Sequence, residues 1–132
     1  TVSWFQHSPL LEIMKYLAEK DVNVVITTDH GSIRVDSPVK ILGDRNTNTN
    51  LRYKTGKALK YESGEVFEVR NPADAFLPRT SVNSSYVFSR ANDFFAYPNN
   101  FNYYVNYYRN TFQHGGVSME EMLIPFVTLR PK

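Results

Sequence analysis

Asp29, His30 and His114 are the side chains of this chain best suited to holding a metal ion. Asp29 and His30 follow the apolar, β-branched run Val24-Val25-Ile26-Thr27-Thr28, and Gly31 after them allows a sharp exit. That pattern puts a carboxylate and an imidazole together at the carboxyl end of a strand, where open α/β sheets bind their ligands. A zinc-type cation accepts this oxygen and nitrogen pair, and His114, in His114-Gly115-Gly116, is a second imidazole able to serve the same site or a neighbouring one. The chain has no Cys, so thiolate zinc sites and disulfides are excluded and any ion must be held by His and carboxylates. Taken singly, Asp29-His30-Gly31 also reads as a strand-end turn with a surface His, and Gly-Gly marks turns of many kinds.

Other groups invite chemistry with less force. Arg45, Arg52 and Lys54 flank the polar stretch Gly43 to Asn50 and could grip a phosphodiester, Arg as a bidentate fork and Lys as a point charge; the competing reading is a solvated basic face. The aromatics between Phe94 and Tyr108 could stack nucleobases, although packing is the commoner use of such residues. Glu120 and Glu121 fit the first turn of a helix behind Ser118, where negative charge meets the positive end of the dipole. His7 stands alone before a helix cap and reads as structural or solvated.

The elements that must position these groups are partly visible. Ser8 as N-cap, Pro9 in the first turn and an apolar stripe of Leu10, Leu11, Ile13, Met14 and Leu17 predict a helix. Val22 to Ile26 is a nearly continuous β-branched run, broken by Asn23, of the kind found in strands covered on both faces. Ile33-Arg34-Val35 and Val39 to Leu42 alternate briefly, with Pro38 between them arguing for an edge or a break. Val66 to Arg70 and Tyr86 to Arg90 read as strands, with a short helical turn over Asn71 to Phe76. A short helix at Met119 to Leu123 and a closing strand at Ile124 to Leu129 complete the pattern; Phe94 to Tyr108 carries no clear assignment. Helix, turn and apolar strand together indicate an α/β fold.

Three blocks in order, Thr28-Asp29-His30-Gly31, Arg52-Tyr53-Lys54-Thr55-Gly56-Lys57 and His114-Gly115-Gly116-Val117-Ser118-Met119-Glu120-Glu121-Met122-Leu123-Ile124-Pro125, resemble a PglZ domain of the alkaline phosphatase superfamily. The nearest resemblance is to the C-terminal effector domain of PorX-type response regulators. It implies the C-terminal portion of an alkaline-phosphatase-like α/β/α sandwich. Residues 1–42 would hold the helix and the strand carrying Asp-His, 43–112 an inserted β-rich and loop-rich segment, and 113–132 the His-Gly-Gly block and closing strand. It further implies two zinc ions in the complete domain, with Asp29 and His30 on one and His114 on the other. The nucleophilic Thr or Ser and the remaining ligands would lie upstream, so the fragment alone should bind metal weakly and should not turn over substrate. The implied activity is on phosphate esters, the basic loop and the aromatics setting phosphodiesters such as oligonucleotides or cyclic nucleotides slightly ahead of monoesters, and the implied location is cytoplasmic.

Length and charge set outer bounds. The 132 residues make one folded unit, and a formal charge of +2 gives no strong field for nucleic acid or anionic membrane. No stretch is apolar over the roughly 18 residues that a membrane span needs. The N-terminus Thr1-Val2-Ser3-Trp4 lacks an initiator Met and reads as cut from something longer. A homodimer or an exchange of strands would cover the surface such a cut exposes. The alternative function is a non-catalytic regulatory module that binds a transcription or secretion partner. A plain nucleic-acid binder is disfavoured by the charge, and steep salt dependence of binding would be its mark.

Overall fold

The computed structural model describes residues 1–131, which divide into two compact units: residues 1–29 with 124–131, and residues 30–123. Helix and strand are mixed along the chain, and among the described residues no helix is long and apolar enough to cross a membrane.

The first unit holds helices α1 (Val2–Gln6) and α2 (Pro9–Ala18) and strands β1 (Val24–Thr27) and β9 (Phe126–Leu129), which pair antiparallel from Val24 opposite Leu129 to Thr27 opposite Phe126. Ser8 is the N-cap of α2 by position, but its hydroxyl donates to the Phe5 carbonyl at 2.8 Å and closes α1 instead. His7 is structural as expected of it, with Nδ1 donating to the Ser3 carbonyl at 2.7 Å. Leu11, Met14 and Leu17 form the half-buried line of α2, while Leu10 and Ile13 face solvent. The expectation that Val22 to Ile26 is covered on both faces does not hold: Val25 is 50% and Ile26 37% exposed. β-branched residues favour an extended backbone wherever they sit. Burial needs other elements to lie on both faces; among the described residues the one ladder partner of β1 is β9, whose Phe126 and Val127 are exposed too.

The second unit contains every buried apolar side chain of the described residues. Strands β4 (Tyr53–Gly56), β6 (Ser85–Ser89) and β5 (Val66–Val69) form an antiparallel sheet in the order β4-β6-β5. Strand β3 (Ser37–Lys40) runs parallel to β7 (Asp93–Ala96), and Pro38 lies inside β3, which has no second ladder partner among the described residues. Successive strand side chains point to opposite faces. Phe94 and Ala96 accordingly join Val35 and Val105 in one cluster, whereas Phe95 joins Val39, Ile41, Val66 and Val87 in another. Tyr86 and Phe88 pack with Val69 on the face of β6 opposite Val87. The aromatic stretch left open by the sequence resolves into β7 and helix α3 (Phe101–Tyr108). Phe101, Val105 and Tyr108 of α3 make the inward stripe at the i, i+4, i+7 spacing.

Candidate metal centre and its cradle

Two strands of two residues bring the distant histidines together. Strand β2 (Ile33–Arg34) pairs antiparallel with β8 (Phe112–Gln113), Ile33 opposite Gln113 and Arg34 opposite Phe112. In that register the chain just before β2 and the chain just after β8 emerge at the same end of the ladder. His30 and His114 leave from there, and their rings stack with centroids 3.8 Å apart and planes within 8°. Both rings are exposed. His30 Nδ1 lies 2.8 Å from the Gly31 carbonyl, and since a carbonyl only accepts, Nδ1 carries the proton. A neutral ring then has its lone pair on Nε2, the arrangement typical of metal-ligating histidines.

Beneath the histidines lies a buried ion pair absent from the sequence reading. Arg52 and Glu121 have side chains 0% and 2% exposed and meet as a fork: Nε donates to Oε1 at 2.9 Å and Nη2 to Oε2 at 2.8 Å. Arg52 Nη2 also donates to the Ala91 carbonyl at 2.8 Å and Nη1 to that of Asp93. Glu121 belongs to the short helix α4 (Met119–Met122) and accepts the backbone N–H of Ser118, the return half of a capping box. Its Oε1 takes the Gly116 N–H at 2.9 Å, and its own carbonyl takes the Gly31 N–H at 2.8 Å. One residue thus pins both histidine loops. Asn50 adds a bond from Nδ2 to the His114 carbonyl at 3.2 Å. Burial works against the charged form of Glu121, yet the bonds from Arg52, Gly116 and Ser118 outweigh it and hold the carboxyl below its ordinary range.

Two glycines are required by close approach. A Cβ on Gly31 would stand 1.9 Å from the Glu120 carbonyl oxygen, and one on Gly116 would stand 2.6 Å from Glu121 Oε2 and 3.0 Å from Arg52 Nε. The Gly residues that mark turns in the sequence serve here to seat backbone closely, Gly31 against the α4 backbone and Gly116 against the ion pair.

The remaining expected site residues fall elsewhere. Asp29 ends the first stretch of the other unit, where its Oδ1 accepts a hydrogen bond from Thr28 Oγ1 at 3.3 Å. Arg45 is exposed on the polar loop. The structure gives Arg52 an internal partner, so its guanidinium donors are not open to a phosphodiester. Lys54 is 1% exposed, with Nζ donating to the Asn48 carbonyl at 2.9 Å. Arg52 and Lys54 are therefore not part of a solvated basic face, whereas Lys57 and Lys60 are exposed. The donor types of His30 and His114 suit a zinc-type ion, but no three His, Asp or Glu side chains gather among the described residues into a shell. A catalytic zinc takes three protein ligands, and the two histidines by themselves fall short of that number.

The model of a family described as the BREX system PglZ alkaline phosphatase-like domain matches residues 4–129. No curated protein matches the chain.

Proposed function

Since the chain belongs to the PglZ family of alkaline phosphatase-like domains, we propose that it is part of a metal-dependent phosphohydrolase acting on phosphodiesters such as oligonucleotides or cyclic nucleotides. The whole protein in this reading is a cytoplasmic bacterial response regulator, and the chain is the C-terminal portion of its effector, with residues 43–112 an insertion in an α/β/α sandwich. The observation that supports it is the stacking of His30 on His114, two nitrogen donors drawn from opposite ends of the sequence to one ladder end.

His30 and His114, with Asp29 as the covalent neighbour of His30, are the residues that would hold zinc-type ions; further donors and the nucleophile must come from other residues, so these alone should not turn over substrate. When bound, such ions place positive charge opposite the attacking and leaving oxygens of a phosphoryl group. The chain's own work is orientation. The Gly31 carbonyl fixes the His30 tautomer, and Glu121 holds the backbone just after each histidine, at Gly31 and Gly116. Arg45, exposed on its loop, is available to a phosphodiester oxygen.

The test is zinc-dependent hydrolysis of an aryl phosphodiester by the full-length protein, comparing wild type with His30→Ala and His114→Ala at matched folding. The reading requires that both variants lose hydrolysis and zinc affinity together. An inactive zinc-loaded wild type would move the assignment to a regulatory interaction module.

A further inference from the structure

A cavity of about 460 Å³ opens on the second unit, lined among others by Lys54, Phe95, Tyr97, Pro98, Tyr104 and Tyr108. Neither His30 nor His114 lines it, so its reading is independent of the phosphohydrolase assignment. Its volume falls within the range of small-molecule pockets. Three features of its wall specify a ligand.

The first is a cation without a counter-ion. Lys54 is wholly buried, and an ammonium offers three donors. One goes to the Asn48 carbonyl, and the charge stands 4.8 Å from the centroid of the Tyr97 ring. No carboxylate pairs with it among the described residues. Burying a charge without a partner costs stability, and burial pushes the amine down to about 8 from 10.5. An anion reaching Nζ would take up the unused donors and hold the ammonium charged. The second feature is the ring wall. Tyr104 and Tyr108, one turn apart on α3, stack with centroids 6.2 Å apart and planes within 12°. Tyr97, directly after β7, supplies further ring surface. The third is that Lys54 and the rings line one cavity, so a single small molecule can meet both.

We propose that this cavity is a binding site for a planar aromatic ring bearing a carboxylate or phosphate, its anionic group on Lys54 Nζ and its ring against the tyrosines. A mononucleotide and an aromatic carboxylate share that chemistry.

The experiment titrates the intact protein with adenosine 5′-monophosphate, benzoate, adenosine and inorganic phosphate, following heat and the Lys54 Nζ resonance. At least one ring-bearing anion should bind, with its neutral or ringless counterpart weaker by about tenfold or more. Which of the two anions binds identifies the source. Lys54→Met should weaken that binding by about tenfold, and Tyr104→Ala, at a surface position of the rim, should weaken it severalfold without unfolding the protein. Binding unchanged in both variants would overturn the proposal. So would silence of the Lys54 resonance at millimolar concentrations of both anions.

Discussion

Arg52 and Lys54 stand two residues apart, both buried, and the protein treats their charges in opposite ways. Arg52 is met by a carboxylate in a bidentate fork and by two carbonyls, and around that pair the two histidine loops are tied. Lys54 has one carbonyl and the face of a ring, and it borders an open cavity. The paired cation is a framework piece, because its donors are spent inside the protein. The unpaired one keeps donors that no acceptor among the described residues takes up. Burial of a basic residue therefore does not by itself tell structure from binding; the partners do.

The most severe way to break this contrast is to remove the framework cation. Arg52→Ala leaves Glu121 buried and uncompensated and should cost about 3–5 kcal/mol in urea denaturation. The double replacement Arg52→Met with Glu121→Leu should recover much of that loss while still freeing the Gly116 N–H and loosening the His30–His114 stack, visible as altered imidazole resonances. If the double variant is as unstable as the single, the pair is not the source of the cost.

Lys54→Met should act in the other direction, raising stability at pH 7 by about 1–3 kcal/mol, because an unpaired buried charge is lost and a similar volume kept. The folded value of Lys54, about 8, lies below the unfolded 10.5, so the unfolded chain binds more protons between them. Wild-type stability should therefore rise with pH from about 8 toward 10, by an amount on the order of 3 kcal/mol at most, and the rise should vanish in Lys54→Met. Tyr97, beside it, is raised by burial and influenced by Asp44, so its ionisation falls above that window. A flat wild-type profile would mean the ammonium is solvated after all.

A smaller effect is expected in acid. The carboxyl of Glu121 sits below its ordinary range in the folded state, so its contribution is complete above about pH 4.5 and fades as pH falls through the depressed folded value. Glu121→Gln should remove this acid-side component from a stability–pH profile. The smallest stability change, within about 0.5 kcal/mol, should come from His30→Ala, since the ring is exposed. In that variant zinc affinity is the quantity expected to fall. A large loss of stability would show the histidine stack to be structural.

Local chemistry made much of the fold legible. Strands β5, β6 and β9, the turn at Pro72–Ala75 and helix α4 lie where alternation, Pro and a Ser-x-x-Glu cap place them. α1 and β4 were not anticipated, and Phe94 to Tyr108 was unassigned because its aromatics serve a strand buried on both faces and then a helix, so neither period persists. In the candidate site, His30 and His114 were picked out as donors, and the structure stacks them. The sequence points Glu121 at its helix dipole and Arg52 at a phosphate or a solvated face, because neither residue reveals its partner sixty-nine positions away.

The sequence by itself determined which residues could be donors, where strands and caps form, and that the chain carries the PglZ pattern. These depend on residue type and short spacing, which are local. Only the tertiary structure decided that β2 meets β8 and brings two imidazoles face to face, that Glu121 neutralises Arg52, and that Lys54 is left with a ring and a cavity. Those outcomes depend on which distant groups share a desolvated space, where the worth of a charge is set by its neighbours and not by its own side chain.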